Sequence, residues 1–390
     1  MERPKLLYLS TVEFSLSHGE KLAGIRRYCS TRGWEAVPVS RDDVSPASLP
    51  GVLGRFRPAA CVVDGIARYD EFPPRLFGNV PVSYLGYPRR KTGNKPNFMF
   101  DYDAIADEAV RELSAGKPAC YAAVGSPFPL KWSHNRVRAF RAAVAAAGAK
   151  CRAFPTLPRF EQESDDRFVE RLAAWIARLP QHCAVYAVSD ETAVLVARAA
   201  RIAGRSIPNS LTLLSVDNFA NLCEKADPPI SSIRLDFERQ GFVAAKAAVE
   251  GWRAERGVRA GRDPDTAIKP LMVVRRKSTG GRGRNEKFVL RAVETIRREA
   301  CDGLTAAALA ARFPCSRRLF EIRFREATGH SVLDDILYVR LEKACALLSR
   351  TDTAVSAVPS LCGFSCNRTL DAIFRSRFGL SMRDWRKRNR

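Results

Sequence analysis

The chain has 390 residues, 46% of them hydrophobic, with a formal net charge of +22 and a pI near 9.9. This length allows two or three domains with apolar cores, and the charge favours an acidic polymer as partner. No apolar run approaches the roughly 18 residues of a membrane span, and the run at residues 6–9 is too short for a secretory leader.

The eleven cysteines and four histidines lack the spacing of a metal site. Reduced thiols of a cytoplasmic protein are the simplest interpretation of such scattered cysteines. The sequence therefore indicates no metal, no cofactor and no membrane partner.

From residue 4 to about residue 252, short apolar runs alternate with helical stretches, which predicts parallel sheets covered by helices on both faces. There are enough units for two lobes. The predicted strands are residues 6–9, 59–63, 80–85, 119–124, 184–188, 211–216 and 268–274. The predicted helices are residues 21–32, 103–113, 135–147, 168–179 and 191–203.

Polar residues follow several of these strands, at the edge where α/β folds collect their ligands. They are Ser10, Thr11, Asp64, Asp101, Ser126, Ser189, Asp190, Asp217 and Asn218. A single Asp at such a point more often caps the next helix, but several in both halves predict a shared polar cleft. Carboxylates with an arginine suit a sugar, whose hydroxyls donate to the former and accept from the latter. Trp132 would cover a sugar ring there, or belong simply to the core.

Residues 277–285 contain three glycines and three basic residues, which predicts a flexible basic linker. Their spacing does not match a nucleotide-binding loop. The predicted organisation is an α/β domain at 1–278, a linker at 279–286 and a helical domain at 287–390. Residues 281–390 hold 22 Lys and Arg against 12 Asp and Glu, about twice the net charge per residue of the remainder.

Two copies of one helical pattern fill residues 304–386. Each pairs a first helix, at 304–311 and 354–361, with a polar-faced second helix after a short break, as in a helix-turn-helix. The candidate DNA contacts on the second helices are Ser316, Arg317, Arg318, Glu321, Asn367, Arg368 and Thr369. Any solvated helix face carries such residues, but two tandem faces in a basic domain favour DNA. A joining helix of roughly 18 residues, about 27 Å long, would hold the second helices about one DNA turn apart.

Residues 287–386 resemble the AraC-type DNA-binding domain. The resemblance rests on Ser316, Phe320, Phe324, Gly329, Arg340, Leu347, Leu348, Cys362, Gly363, Phe364, Phe374, Phe378, Gly379, Trp385 and Arg386. Ile322 and Ala372 stand where that family usually has an arginine on each reading helix. Pro359 stands inside a helix, where a proline costs about 3 kcal/mol unless the helix starts late or kinks. The second helix-turn-helix unit is therefore expected to bind DNA weakly or mainly to touch the DNA backbone.

Residues 5–278 resemble the periplasmic-binding-protein-like effector domain of LacI-type repressors, and the whole chain resembles XylR-like transcriptional regulators. The matching stretches are 24–28, 101–104, 132–140, 187–190, 215–218, 231–233, 241–246 and 275–279. The fold class implied is α/β plus all-α: a two-lobed sensor followed by two helix-turn-helix units. By this resemblance Arg136, Asp190 and Asp217 are the leading sugar ligands, followed by Asp101 and Trp132.

The function expected is a transcription regulator, not an enzyme, controlled by xylose or another monosaccharide bound between the lobes. The resemblance implies double-stranded DNA, a sugar, a second copy of the chain and RNA polymerase as partners. One alternative is a sugar or nucleoside hydrolase with a secondary nucleic-acid-binding tail, although no GxSxG, HExxH or P-loop motif supports it. A nucleic-acid packaging protein is another alternative, but packaging does not need a sensor domain.

Overall fold

The computed structural model describes residues 3–10, 17–40, 44–64, 72–86, 92, 95–128, 130–155, 164–254, 267–280, 286–328, 330–378 and 380–388. It contains two compact units, one of residues 1–270 with 275–282 and one of residues 271–274 with 283–390. Thr11, Gly329, Gly379 and linker residues 281–285 lie outside the described residues. Every helix in the described ranges is too short or too polar to cross a bilayer.

The first unit contains two parallel sheets, with strand orders β2-β1-β3-β4-β5 and, within this unit, β10-β9-β8-β6-β7. The expected two-lobed α/β architecture is confirmed. Its strands are β1 Lys5–Ser10, β2 Glu35–Ser40, β3 Ala60–Asp64, β4 Val82–Leu85, β5 Asn97–Phe98, β6 Cys120–Val124, β7 Cys151–Ala153, β8 Cys183–Ala187, β9 Leu211–Asp217 and β10 Ser231–Arg234. Its helices are α1 His18–Ser30, α2 Leu49–Phe56, α3 Tyr102–Ser114, α4 Lys131–Ala146, α5 Asp165–Ile176, α6 Asp190–Ile202, α7 Ala220–Cys223 and α8 Phe237–Ala254, with 3-10 turns at Pro74–Phe77 and Lys277–Thr279.

The interior strands are buried on both faces, as parallel strands covered by helices must be. Leu6 to Leu9 in β1 are all fully buried, because β1 lies between β2 and β3. Strand β2 was not predicted, since Pro38 interrupts its apolar pattern. That proline is tolerated because β2 is an edge strand, where a missing N–H leaves no ladder partner unsatisfied.

Helices α1 and α8 of the first lobe approach each other at two glycines. A Cβ on Gly24 would lie 1.9 Å from the carbonyl oxygen of Glu238, and a Cβ on Gly241 would lie 2.0 Å from that of Lys21. No side chain fits at either point, so the two helices pack backbone to backbone. Behind them, α8 packs on β3 and β4, where Ser83 Oγ donates a 2.8 Å hydrogen bond to the carbonyl of Ala244.

The chain passes between the lobes at neighbouring segments. It crosses to the second lobe after β5 and returns to the first lobe between β10 and α8. Near Ile268 it passes beside the first of these crossings. There the backbone N–H of Asp101 donates to the carbonyl of Ile268, and that of Ile268 donates to the carbonyl of Met99. These crossings are where one lobe can turn relative to the other.

The second unit is helical, as expected. Its elements are β11 Met272–Val274, α9 Glu286–Glu299, α10 Ala306–Ala310, α11 Arg317–Thr328, α12 Val332–Arg350, α13 Val358–Leu361, α14 Asn367–Phe378 and α15 Met382–Arg388, with 3-10 turns at Ala300–Asp302 and Val355–Ala357. Helix α9 was not predicted, although Val289, Val293 and Ile296 lie on one face and are buried.

Helix α12 carries two separate cores. Its N-terminal half contributes Val332, Ile336 and Val339 to an apolar cluster that also contains Phe320 and Phe324 of α11. Its C-terminal half contributes to a second cluster, around α14. The members of that second cluster include Leu341, Ala344, Leu348, Leu370 and Phe374. One helix therefore fixes the spacing of the two helix-turn-helix units.

Pro359 is accommodated by a late helix start, one of the two outcomes that the sequence allowed. The predicted helix at 354–361 is a 3-10 turn at Val355–Ala357 followed by the short helix α13. Pro359 lies in the first turn of α13, where a missing N–H breaks no helical hydrogen bond. The second helix-turn-helix unit therefore keeps its first helix, in shortened form.

Candidate functional site

A buried ion pair lies at the carboxyl edge of the second sheet. Arg136 on α4 donates from Nη2 to Asp217 Oδ1 at 2.9 Å, and from Nη1 to the carbonyl of Val188 at 2.6 Å. Both charged side chains are about nine-tenths or more buried. The guanidinium carbon lies 5.0 Å from the ring centroid of Trp132, one turn earlier on α4. The structure thus brings together three of the predicted ligand residues: Arg136, Asp217 and Trp132.

Two features of this pair are typical of a site built for a ligand. Asp217 and its neighbour Asn218 both have positive φ, 105° and 60°, which costs non-glycine residues on the order of 1–3 kcal/mol each. The buried Nε of Arg136 has no hydrogen-bond partner among the described residues. A buried guanidinium N–H without a protein partner can donate to a bound water or hydroxyl.

Each charge of the pair stabilises the ionised form of the other. Burial disfavours both ionised forms, yet the carboxylate of Asp217 keeps the pKa of Arg136 above its ordinary value. Burial raises the pKa of Asp217, and the neighbouring guanidinium opposes that rise. Removal of either partner would leave an uncompensated buried charge.

Asp190 interacts electrostatically with Asp217, and both of its carboxylate oxygens already accept hydrogen bonds. It is fully buried at the start of α6. Its Oδ1 accepts from the hydroxyls of Ser215 and Ser232, both at 2.7 Å, and its Oδ2 accepts from the backbone N–H of Phe219 at 2.6 Å. These bonds join α6 to β9, β10 and the turn after Asp217. The geometry therefore suits a residue that positions Asp217 better than one that offers an oxygen to a ligand.

Asp101 caps a helix. Its Oδ1 accepts from the backbone N–H of Ala104, in the first turn of α3, at 2.9 Å. It also lines a cavity of about 280 Å³ whose walls include Tyr102, Asn135 and Arg138. Arg136, Asp217 and Trp132 are not wall residues of that cavity, but Tyr102, next to Asp101, interacts electrostatically with both Arg136 and Asp217.

The first lobe presents its own polar cluster at the carboxyl ends of β1 and β3. Asp64 Oδ2 accepts from Lys21 Nζ at 2.8 Å and from the Tyr8 hydroxyl at 3.0 Å. Ser10 Oγ lies 2.6 Å from Nδ1 of His18, whose ring stacks on Tyr8 with centroids 5.3 Å apart. Burial lowers the pKa of His18, so its imidazole is neutral near pH 7.

Sequence reasoning singled out Ser10 and Asp64 as strand-end residues but missed Tyr8, Lys21 and His18. Tyr8 stands inside the apolar run of the strand predicted at residues 6–9, which gives no sign of a polar role. Lys21 and His18 follow a strand within one helical turn of each other, and that proximity is the one signal that would have found them.

The predicted DNA contacts lie at the starts of the two reading helices, α11 and α14. Ser316 caps α11, because its Oγ accepts from the backbone N–H of Leu319 at 3.3 Å. The remaining contacts are exposed except Glu321, which is half-buried: Arg317, Arg318, Asn367, Arg368 and Thr369. Thr369 Oγ1 lies 3.0 Å from the thiol of Cys366, immediately before α14. The opposite faces of the two helices are anchored by Phe320, Phe324, Leu370 and Phe374, all fully buried.

Two arginines of the AraC-type resemblance serve the fold. Arg340 on α12 donates to the carbonyls of Ala300 and Leu304 at 2.8 and 2.9 Å. Arg386 on α15 donates to the carbonyls of Leu348 and Thr353 at 3.2 and 2.7 Å. Each satisfies backbone oxygens at the ends of helices or turns, so each holds a helix-turn-helix unit together.

Comparisons with known proteins match the two parts of the chain separately. A family model described as a periplasmic binding protein-like domain matches residues 105–279, and one described as a helix-turn-helix domain matches residues 309–388. The xylose operon regulatory protein of Escherichia coli (strain K12) is 25% identical over 267 residues. That match covers 66% of this chain and 65% of the relative, just under two thirds of its length.

Solved structures show the same fold. The xylose-binding transcription activator xylR aligns over 100% of both chains with a TM-score of 0.57 and 19% identity. The transcriptional regulator CelR in its cellobiose complex aligns over 71% of this chain and 86% of its own, with a TM-score of 0.57 and 19% identity. The relatives are named as transcription regulators, so the hydrolase alternative gains no support from them. The chain therefore resembles XylR-like regulators in its domain order: residues that match a periplasmic binding protein-like domain precede residues that match a helix-turn-helix domain.

Proposed function

We propose that the chain is a sequence-specific regulator of transcription whose DNA binding is controlled by a small sugar held between the lobes of the first unit. The observation that carries the proposal is the buried Arg136–Asp217 pair with its strained backbone and unsatisfied Nε. A charged pair of this kind, paired with a polar cluster on the other lobe, suits a ligand rich in hydroxyls.

Each predicted ligand residue receives a role in this proposal. Arg136 Nε donates to one sugar hydroxyl, and the carboxylate of Asp217 accepts from another. Trp132 offers an aromatic surface beside them for the apolar face of the ring. Asp190 holds the turn that presents Asp217, and Asp101 shapes the crossing between the lobes.

The first lobe completes the site. The neutral imidazole of His18 and the hydroxyl of Ser10 offer one donor and one acceptor at the end of β1. The carboxylate of Asp64 is fixed by Lys21 and Tyr8. A sugar that contacts both lobes favours the arrangement in which they are close, and it shifts the lobe equilibrium by its differential affinity.

Xylose or another monosaccharide is the proposed effector. The name of the curated relative favours xylose, whereas the CelR complex contains a disaccharide. Thermal unfolding of the full chain with D-xylose, L-arabinose, D-glucose and cellobiose separates these: at 100 times its dissociation constant a ligand adds about 2.7 kcal/mol of stability. A rise in the melting temperature with cellobiose alone would contradict the monosaccharide assignment.

Two neighbouring arginines provide the matched control. Arg136→Ala should abolish the thermal shift, whereas Arg138→Ala, on the same helix but exposed, should retain it. Arg138 lines the cavity near Asp101. Loss of the shift in the Arg138 variant alone would therefore place the sugar in that cavity instead.

The second unit supplies the DNA side of the proposal. Helices α11 and α14 present arginine, asparagine and hydroxyl side chains to double-stranded DNA, and a homodimer of the chain would double these contacts on paired half-sites. In the cytoplasm such a complex would act on transcription by contact with, or exclusion of, RNA polymerase. The test is the affinity of the full chain for its own promoter region with and without the sugar. Identical affinities would remove the sensor role.

A further inference from the structure

The reading face of α11 contains large apolar side chains that its own core does not use. Ile322 is 45% exposed and Leu319 is 38% exposed, whereas Phe320 and Phe324 on the opposite side are fully buried. Leu319 and Ile322 are three residues apart, so they lie next to each other on the helix surface. They form a small apolar patch on a face expected to meet DNA.

The surroundings of the patch indicate what covers it. Arg317 and Arg318 at the start of α11, and Arg325 one turn after Ile322, are exposed. An apolar patch bordered by arginines complements a polyanion that has apolar groups within its grooves. The major groove of DNA has one such group, the C5-methyl of thymine.

The second reading helix has a different surface. Position six of α14, counted from its first residue, is Ala372, where α11 has Ile322. Both residues are exposed, but the exposed start of α14 is polar, with Asn367, Arg368 and Thr369. The two helices therefore offer different chemistry to the two DNA segments that they would face.

We infer that Ile322, supported by Leu319, is a specificity-determining residue that contacts thymine methyl groups in the major groove. The inference rests on the proposed DNA-binding function and deepens it. The half-site facing α11 then requires thymine at one or two fixed positions, while the half-site facing α14 is read through hydrogen bonds.

Uracil substitution tests this directly, because uracil differs from thymine only by the absent methyl. Sites are first selected from a random duplex pool with the full-length protein, and each thymine is then replaced singly by uracil. We expect a loss of about four-fold in affinity at one or two positions of one half-site, the effect of one buried methyl. Ile322→Ala should bind thymine and uracil equally well at those positions.

Leu333→Ala is the matched control. Leu333 on α12 is 55% exposed and lies off the reading helices, so its removal should leave the thymine preference intact. Selection of defined sites without any thymine-to-uracil effect, or an Ile322→Ala protein that keeps the preference, would overturn the inference while leaving the DNA-binding function standing. Failure to select any site would instead overturn the function itself. Thermal melting of the Ile322→Ala protein confirms that it is folded before its preference is interpreted.

Discussion

The guanidinium of Arg234, the last residue of β10, donates two hydrogen bonds of 2.9 and 2.8 Å to the carboxylate of Glu20, in the first turn of α1. Strand β10 belongs to the second sheet and α1 packs on the first, so this bidentate pair joins the two lobes. Its geometry is the stronger, charge-assisted kind of hydrogen bonding. It stabilises the present arrangement of the lobes.

Glu20→Gln should weaken sugar binding by about five- to ten-fold, the lower end of the 1–3 kcal/mol typical of such couplings, because the pair is only partly buried. Isothermal titration of the full chain measures it. Glu238→Gln is the control, since Glu238 pairs with Arg27 inside the first lobe. Equal affinities of the Glu20→Gln and unaltered proteins would show that the pair does not influence closure.

Arg136→Met should destabilise the first unit by about 3–5 kcal/mol, because the charge of Asp217 is left buried without its partner. The double variant Arg136→Met, Asp217→Asn should regain much of that stability but no sugar binding. Urea unfolding and calorimetric titration separate the two effects. A double variant that still binds the sugar would exclude the pair from the site.

Gly241→Ala should destabilise the first lobe by about 1–3 kcal/mol, since its new methyl would lie 2.0 Å from the carbonyl oxygen of Lys21. Gly54→Ala is the matched change, because Gly54 also lies within a helix but has nothing within 4 Å of a new methyl. There alanine should stabilise by about 0.5–1 kcal/mol. Denaturant midpoints of the two variants should therefore move in opposite directions.

His18 gives the first unit a dependence on pH. Burial lowers the pKa of its imidazole, so the folded state binds a proton less readily than the unfolded chain. Stability should be constant above the ordinary histidine pKa and fall as the pH drops below it. The contribution of His18 is measured as the free energy of unfolding between pH 8 and pH 5, compared with that of the His18→Asn variant. Parallel curves for the two proteins would contradict it.

Arg318→Ala and Arg368→Ala should each weaken specific DNA binding by about 1–3 kcal/mol where the arginine contacts a base. If an arginine contacts only phosphate, the loss is uniform over sequences and the salt slope falls by about one. Arg312→Ala serves as control, because that side chain pairs with Glu299 at 2.7 Å outside the reading helices. Binding titrations at several salt concentrations distinguish the outcomes. Unchanged binding in both test variants would show that neither arginine contacts the DNA.

Much of the fold could be predicted because its interior strands are continuous apolar runs, such as Leu6 to Leu9. The elements that escaped prediction include edge strands, where one side is open to solvent and the pattern weakens. Strand β2 with Pro38 and the three-residue β7 are examples. Helix α8 escaped for another reason: its alanines and glycines, among them Gly241, pack closely without a large apolar stripe.

The candidate site was only partly predictable, because its geometry joins residues far apart in the chain. Arg136 and Asp217 are 81 residues apart, and only the resemblance to a known family pointed to both. Asp190 looked like a cleft residue by its position after a strand. Its neighbours Ser215 and Ser232, 25 and 42 residues away, occupy its carboxylate instead. Such long-range satisfaction of a polar group leaves no local sequence pattern.

Helix α12 sets the relative rotation of the two helix-turn-helix units, because each half of it is embedded in a different core. One residue inserted near its middle would turn the second unit by about 100° and advance it by about 1.5 Å. The exposed face of α14 would then be turned by the same angle relative to that of α11. The length of α12 therefore sets both the distance and the relative rotation of the two helix-turn-helix units.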